Sequence, residues 1–120
     1  MAGDPAYLLL EDGRRFDGVH CGAPGSAVGE VVFTTGMSGY QESMSDPSFA
    51  GQMITFTYPH IGNYGASHGA MESARAWGAA AIMREAHNGT ESPEAQQGWL
   101  DWLAAGSVAY RERSFALSAA

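Results

Sequence analysis

The chain has 120 residues, which suits one domain and leaves no room for two of ordinary size. Hydrophobic residues are 45% of the total and charged residues 16%, so there is enough apolar matter for a core and the chain is not a disordered tail. The formal charge is −7, lysine is absent and the arginines are scattered, which argues against a phosphate-binding surface and for solubility or docking to a basic partner.

Residues 6–10, an alanine, a tyrosine and three leucines, form a short apolar run that stops at Glu11-Asp12-Gly13. Residues 15–19 follow with apolar side chains at alternate positions, and the pair predicts a β-hairpin. Pro24 and its neighbouring glycines make a loop. Residues 28–35 are rich in β-branched side chains and predict a strand, as do residues 52–58, where polar and apolar residues alternate. Between them, residues 38–44 allow one or two helical turns. Asp46-Pro47 ends these, because the residue before proline avoids the helical region.

Residues 59–65 hold Pro59, Gly62, Asn63 and Gly65, a content that predicts an ordered turn and no regular structure. Residues 79–84 read as a buried strand, although their alanines leave a helix open. Asn88-Gly89-Thr90 matches a glycosylation sequon and reads more simply as an Asn-Gly turn. A helix is expected from Ser92, with Ser92 as its cap, Pro93 in its first turn and Glu94 on the positive end of the dipole. Ala95, Trp99, Trp102 and Leu103 then share one face, and Gly106 supplies the stop. Strands first and a helix last give a mixed α/β domain.

Chemistry-bearing residues are few. Cys21 is the single cysteine, so no intrachain disulfide forms and a reducing, cytoplasmic setting is expected. No leader-like N-terminal pattern and no membrane-length apolar run is present. Cys21 and His20 are neighbours on an extended segment and point to opposite faces, so Cys21 reads as a small buried hydrophobe; His60, His68 and His87 are the candidate bases. None of these has tight metal-ligand spacing, and no metal site is expected. No phosphate-loop pattern occurs. Two dense polar-aromatic segments remain, residues 35–49 and 57–65, either packed turns or a binding surface.

These segments carry a resemblance. Residues 28–42, ending Thr35-Gly36-Met37-Ser38-Gly39-Tyr40-Gln41-Glu42, resemble the small subunit of glutamine-dependent carbamoyl phosphate synthetase. So do residues 45–52, which contain Asp46-Pro47-Ser48-Phe49, and Thr57-Tyr58-Pro59-His60-Ile61-Gly62-Asn63-Tyr64-Gly65. The likeness spans roughly residues 6–105, with Thr34 where asparagine is usual and Ser43 where an apolar residue is common. It implies the family's N-terminal domain over residues 1–106, with a layered, swivelling β/β/α fold, and an unmatched tail over residues 107–120 with no amidotransferase domain. It further implies a non-catalytic domain that helps join the small subunit to the large one and sits beside the amidotransferase domain of its own subunit. That enzyme delivers glutamine-derived ammonia for carbamoyl phosphate synthesis from bicarbonate and ATP, in arginine and pyrimidine biosynthesis. ATP and magnesium are used by the large subunit, so no cofactor is expected in this domain. The Ser of the Asp-Pro-Ser motif contacts the glutamine substrate in the family, which here is Ser48; the alternative is a turn that Ser48 closes on its own backbone. A different function, a stand-alone interaction module without a catalytic role, fits the same residues.

Overall fold

The computed structural model describes residues 4–23, 25–36, 39–72, 75–105 and 115–119. The first apolar run forms strand β1, Pro5–Leu9, and pairs antiparallel with β2, Arg15–His20, with Tyr7 opposite Asp17 and Leu8 opposite Phe16. The predicted turn closes the hairpin: the Gly13 amide donates to the Leu10 carbonyl at 3.0 Å, and Gly13 takes φ +90°, where a side chain would be strained.

Strand β3, Val31–Thr34, starts later than the β-branched run suggests. Helix α1, Tyr40–Ser45, ends where Asp46-Pro47 requires, and Pro47–Phe49 makes a single 3-10 turn. Strand β4, Met53–Ile61, runs three residues beyond the alternating pattern. Pro59, His60 and Ile61 belong to the strand, contrary to the expectation of a turn. The β4 register shifts between Phe56 and His60, and such an irregularity accommodates a proline that cannot donate to the ladder. Strand β5 is Ala80–Ala86, helix α2 is Trp99–Ala105, and β6 is Phe115–Ala119.

The described strands form one mixed sheet in the order β1-β2-β6-β5-β4-β3. Neighbours β3, β4, β5 and β6 are parallel, each reached by a crossover, while β1-β2 and β2-β6 are antiparallel. The α/β expectation holds, but the helix does not come last. After α2 the chain returns as β6 between β2 and β5, inside the stretch expected to be an unmatched tail.

Register decides which sheet face becomes core. Ile54 lies opposite Ala81 and Phe56 opposite Met83, and all four are buried. Tyr40 and Met44 of α1 and Trp99 and Leu103 of α2 pack with them. Trp99 is fully buried against Tyr40 and Phe56, with ring centroids 4.6 and 6.1 Å away, and its indole N–H donates to Met83 Sδ at 3.3 Å. Truncating such a residue to alanine costs about 3–5 kcal/mol. The Tyr40 hydroxyl accepts from the Tyr64 amide at 3.0 Å, which ties α1 to the segment after β4.

The helix expected from Ser92 begins seven residues later. Ser92-Pro93-Glu94 forms a turn instead, in which the Glu94 amide donates to Ser92 Oγ at 3.3 Å. The cap comes from Asn88, whose Oδ1 accepts from the Leu100 and Asp101 amides at 2.9 and 3.2 Å. Asn88 therefore serves the first turn of α2 from outside the helix, and its neighbours are not a hairpin turn. Trp99 and Leu103 are buried and Trp102 is partly so, as the helical spacing predicts; Ala95 lies before the helix, and Gly106 falls outside the described residues.

Candidate functional site

The Asp46-Pro47-Ser48 turn joins α1 to β4. Asp46 Oδ1 accepts from the Ser48 amide at 2.9 Å, and the Asp46 carbonyl accepts from the Phe49 amide at 3.1 Å. Phe49 packs against the core and anchors the turn from below. Ser48 is exposed, and its hydroxyl takes no hydrogen bond among the described residues. The turn is thus closed by the Asp46 carboxylate and a backbone amide, not by the Ser48 hydroxyl.

Residues 57–65 are dense with motif residues largely because they pack closely. Gly62 has φ +101°, and a Cβ there would lie 2.1 Å from the His87 carbonyl oxygen and 2.5 Å from Trp99 Cδ1. Ile61, Gly62 and Gly65 are buried, and Tyr64 stacks on Tyr40 with centroids 5.1 Å apart. Thr57, Pro59 and His60 are the exposed members. The second dense segment includes residues 37–38, which lie outside the described residues, and then continues into α1. There Gln41 Nε2 donates to the Ser67 carbonyl at 2.7 Å and Gln41 Oε1 accepts from the Ser67 amide at 3.0 Å.

Cys21 is buried in the core cluster, and burial pushes its thiol up to about 11. A nucleophilic cysteine needs the opposite shift. His20 is buried beside it and its Nε2 bonds the Ala23 carbonyl. The fold brings His60 and His87 together at the ends of β4 and β5, with Glu85 between them and away from Cys21 in the core. Sequence spacing concealed this cluster, because His60 and Glu85 meet only through strand register. The side chain of His68 is outside the described residues.

A third feature is apolar and exposed. On the sheet face away from α1 and α2, Val31 and Phe33 of edge strand β3 stand open, Phe33 with 71% of its surface exposed. Val28 is 95% exposed; Tyr7 and Leu9 of the other edge strand, β1, are more than half exposed but project by register to the opposite face, the one that carries Ile54 and Phe56. An open groove of ≈ 990 Å³ runs beneath them, lined by Tyr7, Leu9, Val28, Val31, Met53 and Ile82. One guanidinium, that of Arg15, lies 3.9 Å over the Tyr7 ring. Val28, Val31 and Phe33 together make an exposed apolar patch at the β3 edge, the kind of surface that another structure covers. Among the described residues no helix is long and apolar enough to cross a membrane.

The sequence profile of the family described as "Carbamoyl-phosphate synthase small chain, CPSase domain" matches residues 8–111. A carbamoyl phosphate synthase small chain of Xylella fastidiosa (strain 9a5c) is 47% identical over 105 residues, 88% of this chain and 28% of that one. One from Thioalkalivibrio sulfidiphilus is 54% identical over 81 residues, 68% of this chain and 21% of that one, and one from Thermosynechococcus vestitus is 48% identical over 101 residues, 84% of this chain and 26% of that one. The chain thus spans about a quarter of the length of the curated relatives it matches.

Proposed function

The chain belongs to the carbamoyl-phosphate synthase small chain family, through its CPSase domain, and on that basis we propose that it is the interaction domain that joins the small chain to the large one. The observation that carries the reading is the exposed apolar patch at the β3 edge, made by Val28, Val31 and Phe33. Covering that patch stabilises a complex by roughly 25 cal/mol for each Å² removed from water, minus the cost of association. The net charge of −7 suits a partner surface whose rim is basic.

In this reading the domain does no bond-making. The thiol of Cys21 is buried and held protonated, and the family's ammonia supply from glutamine belongs to the amidotransferase domain beside it. Ser48, presented on a pinned turn, contacts glutamine bound in that neighbouring site. Bicarbonate, ATP and magnesium are handled by the large subunit, and the product serves arginine and pyrimidine biosynthesis in the cytoplasm.

The test is co-purification with the large subunit of the same source at micromolar concentration. The chain should co-elute with it, and Phe33→Asp, which places a charge on an exposed position at no cost to the core, should weaken the complex by roughly tenfold or more. No co-elution, or equal binding by Phe33→Asp and a paired Val31→Asp variant, would reject the apolar patch as the interface.

A further inference from the structure

The geometry points to a divalent transition-metal site, of the zinc class, built from His60, Glu85 and His87. Glu85 and His87 are two apart on and just beyond β5, so they project to the same side, and register sets His60 of β4 opposite Glu85. His60 Nδ1 lies 3.4 Å from Glu85 Oε2, His87 Nε2 lies 3.4 Å from Glu85 Oε1, and the two imidazole nitrogens are 3.5 Å apart. An ion with metal–ligand bonds of about 2.0–2.1 Å in a tetrahedral shell holds its ligand atoms roughly 3.3–3.4 Å apart. The two imidazole nitrogens already stand at nearly that spacing, and each has one oxygen of the Glu85 carboxylate at it, a different oxygen for each ring, so a turn of the carboxylate brings a single oxygen into the shell.

The backbone beneath them is fixed. The His87 amide donates to the Ile61 carbonyl at 2.7 Å, and the missing side chain of Gly62 lets the His87 carbonyl come close. Two imidazoles and one carboxylate favour Zn²⁺, Ni²⁺ or Cu²⁺ over Mg²⁺ or Ca²⁺, which prefer an all-oxygen shell. All three side chains are at least partly open to solvent, so an ion can enter and the fourth position is left to water. The ion would bolt the C-terminal ends of β4 and β5 together beside the buried Gly62 turn. A bare His–Glu ion pair would explain one of the two contacts to Glu85; the placement of both imidazoles within 3.5 Å of each other fits a shared cation better.

The experiment is a calorimetric titration of the chelator-treated, tag-free 120-residue chain with Zn²⁺. One ion per chain should bind saturably, with a rise in melting temperature. His60→Asn and His87→Asn, at exposed or half-exposed positions, should each lower the affinity by roughly tenfold or more and abolish that rise, while Cys21→Ser and His68→Asn leave both unchanged. The visible spectrum of the Co²⁺-loaded chain keeps the proposal testable if a variant folds poorly, since it should show tetrahedral nitrogen and oxygen ligation and no thiolate charge-transfer band. No saturable binding, binding that survives both histidine substitutions, or a thiolate band would each overturn the site.

Discussion

At the scale of single residues, Ser48 and Cys21 look similar in sequence, each a polar atom on a short side chain, and the fold treats them oppositely. Ser48 is exposed on a turn that Asp46 closes, so replacing its hydroxyl should leave the turn intact and change stability by no more than about 0.5 kcal/mol. If it contacts glutamine away from the reacting amide, it binds ground state and transition state alike, and its loss raises KM without lowering kcat. In a full-length small chain, Ser48→Ala is expected to raise the KM for glutamine by about ten- to a hundredfold, one lost charged hydrogen bond, and to spare ammonia-dependent synthesis. Steady-state kinetics with each nitrogen donor checks this, and an unchanged KM would remove Ser48 from the glutamine site. Cys21 behaves as core. With its thiol pushed to about 11, roughly one in a thousand is thiolate at pH 8, so a thiol reagent should label the native chain far more slowly than the urea-unfolded one. Burial also pushes the Tyr40 hydroxyl up to about 12, against the smaller lowering effect of the Tyr64 amide. Both values lie above their unfolded ones, 9.0 and 10.0, so both groups favour folding at low pH and lose that effect as pH rises. Urea melts should show stability falling between about pH 9 and 12 on this account, and no fall there would contradict the burial.

At the scale of elements, α2 shows how a local pattern is overruled. Ser92, Pro93 and Glu94 carry good start signals, yet the helix forms where Trp99 and Leu103 can reach the core and where Asn88 can satisfy its first amides. Burying Trp99 is worth several times a single cap, so packing chooses the start. The Asn88 side chain also donates to Asp101 Oδ2 at 3.0 Å, which locks the cap in place. Asn88→Ala should therefore destabilise the fold by about 1–2 kcal/mol, measured by thermal or urea unfolding, whereas Ser92→Ala should cost less than half as much. Equal effects would restore Ser92 as the cap. Strand β4 shows the milder case: the alternation of residues 52–58 predicts the strand and Pro59 predicts its end, but a register shift lets the strand carry the proline.

At the scale of the molecule, one sheet face is filled by both helices, and the exposed large apolar residues sit on the two edge strands, Val31 and Phe33 on β3 and Tyr7 and Leu9 on β1. The 120-residue chain is expected to release no ammonia from glutamine, assayed directly; release that disappears in Cys21→Ala would assign catalysis to this domain. The profile match stops at residue 111, before β6, which nonetheless joins β2 to β5 and makes the sheet continuous.

By itself the sequence determined the hairpin, strand segments within β3 and β4, and the core stripe of α2, because period-two and helical spacing, together with the turn residues, are local properties of neighbouring side chains. It also carried the family, through long motifs in order. It did not determine where α2 starts, what caps it, that residues 115–119 complete the sheet, or that His60, Glu85 and His87 converge. Each of those depends on a contact between residues far apart in the chain. Leu100 meets Asn88, β6 meets β2, and His60 meets Glu85, and only strand register and the packing of Trp99 bring such partners within a few ångströms.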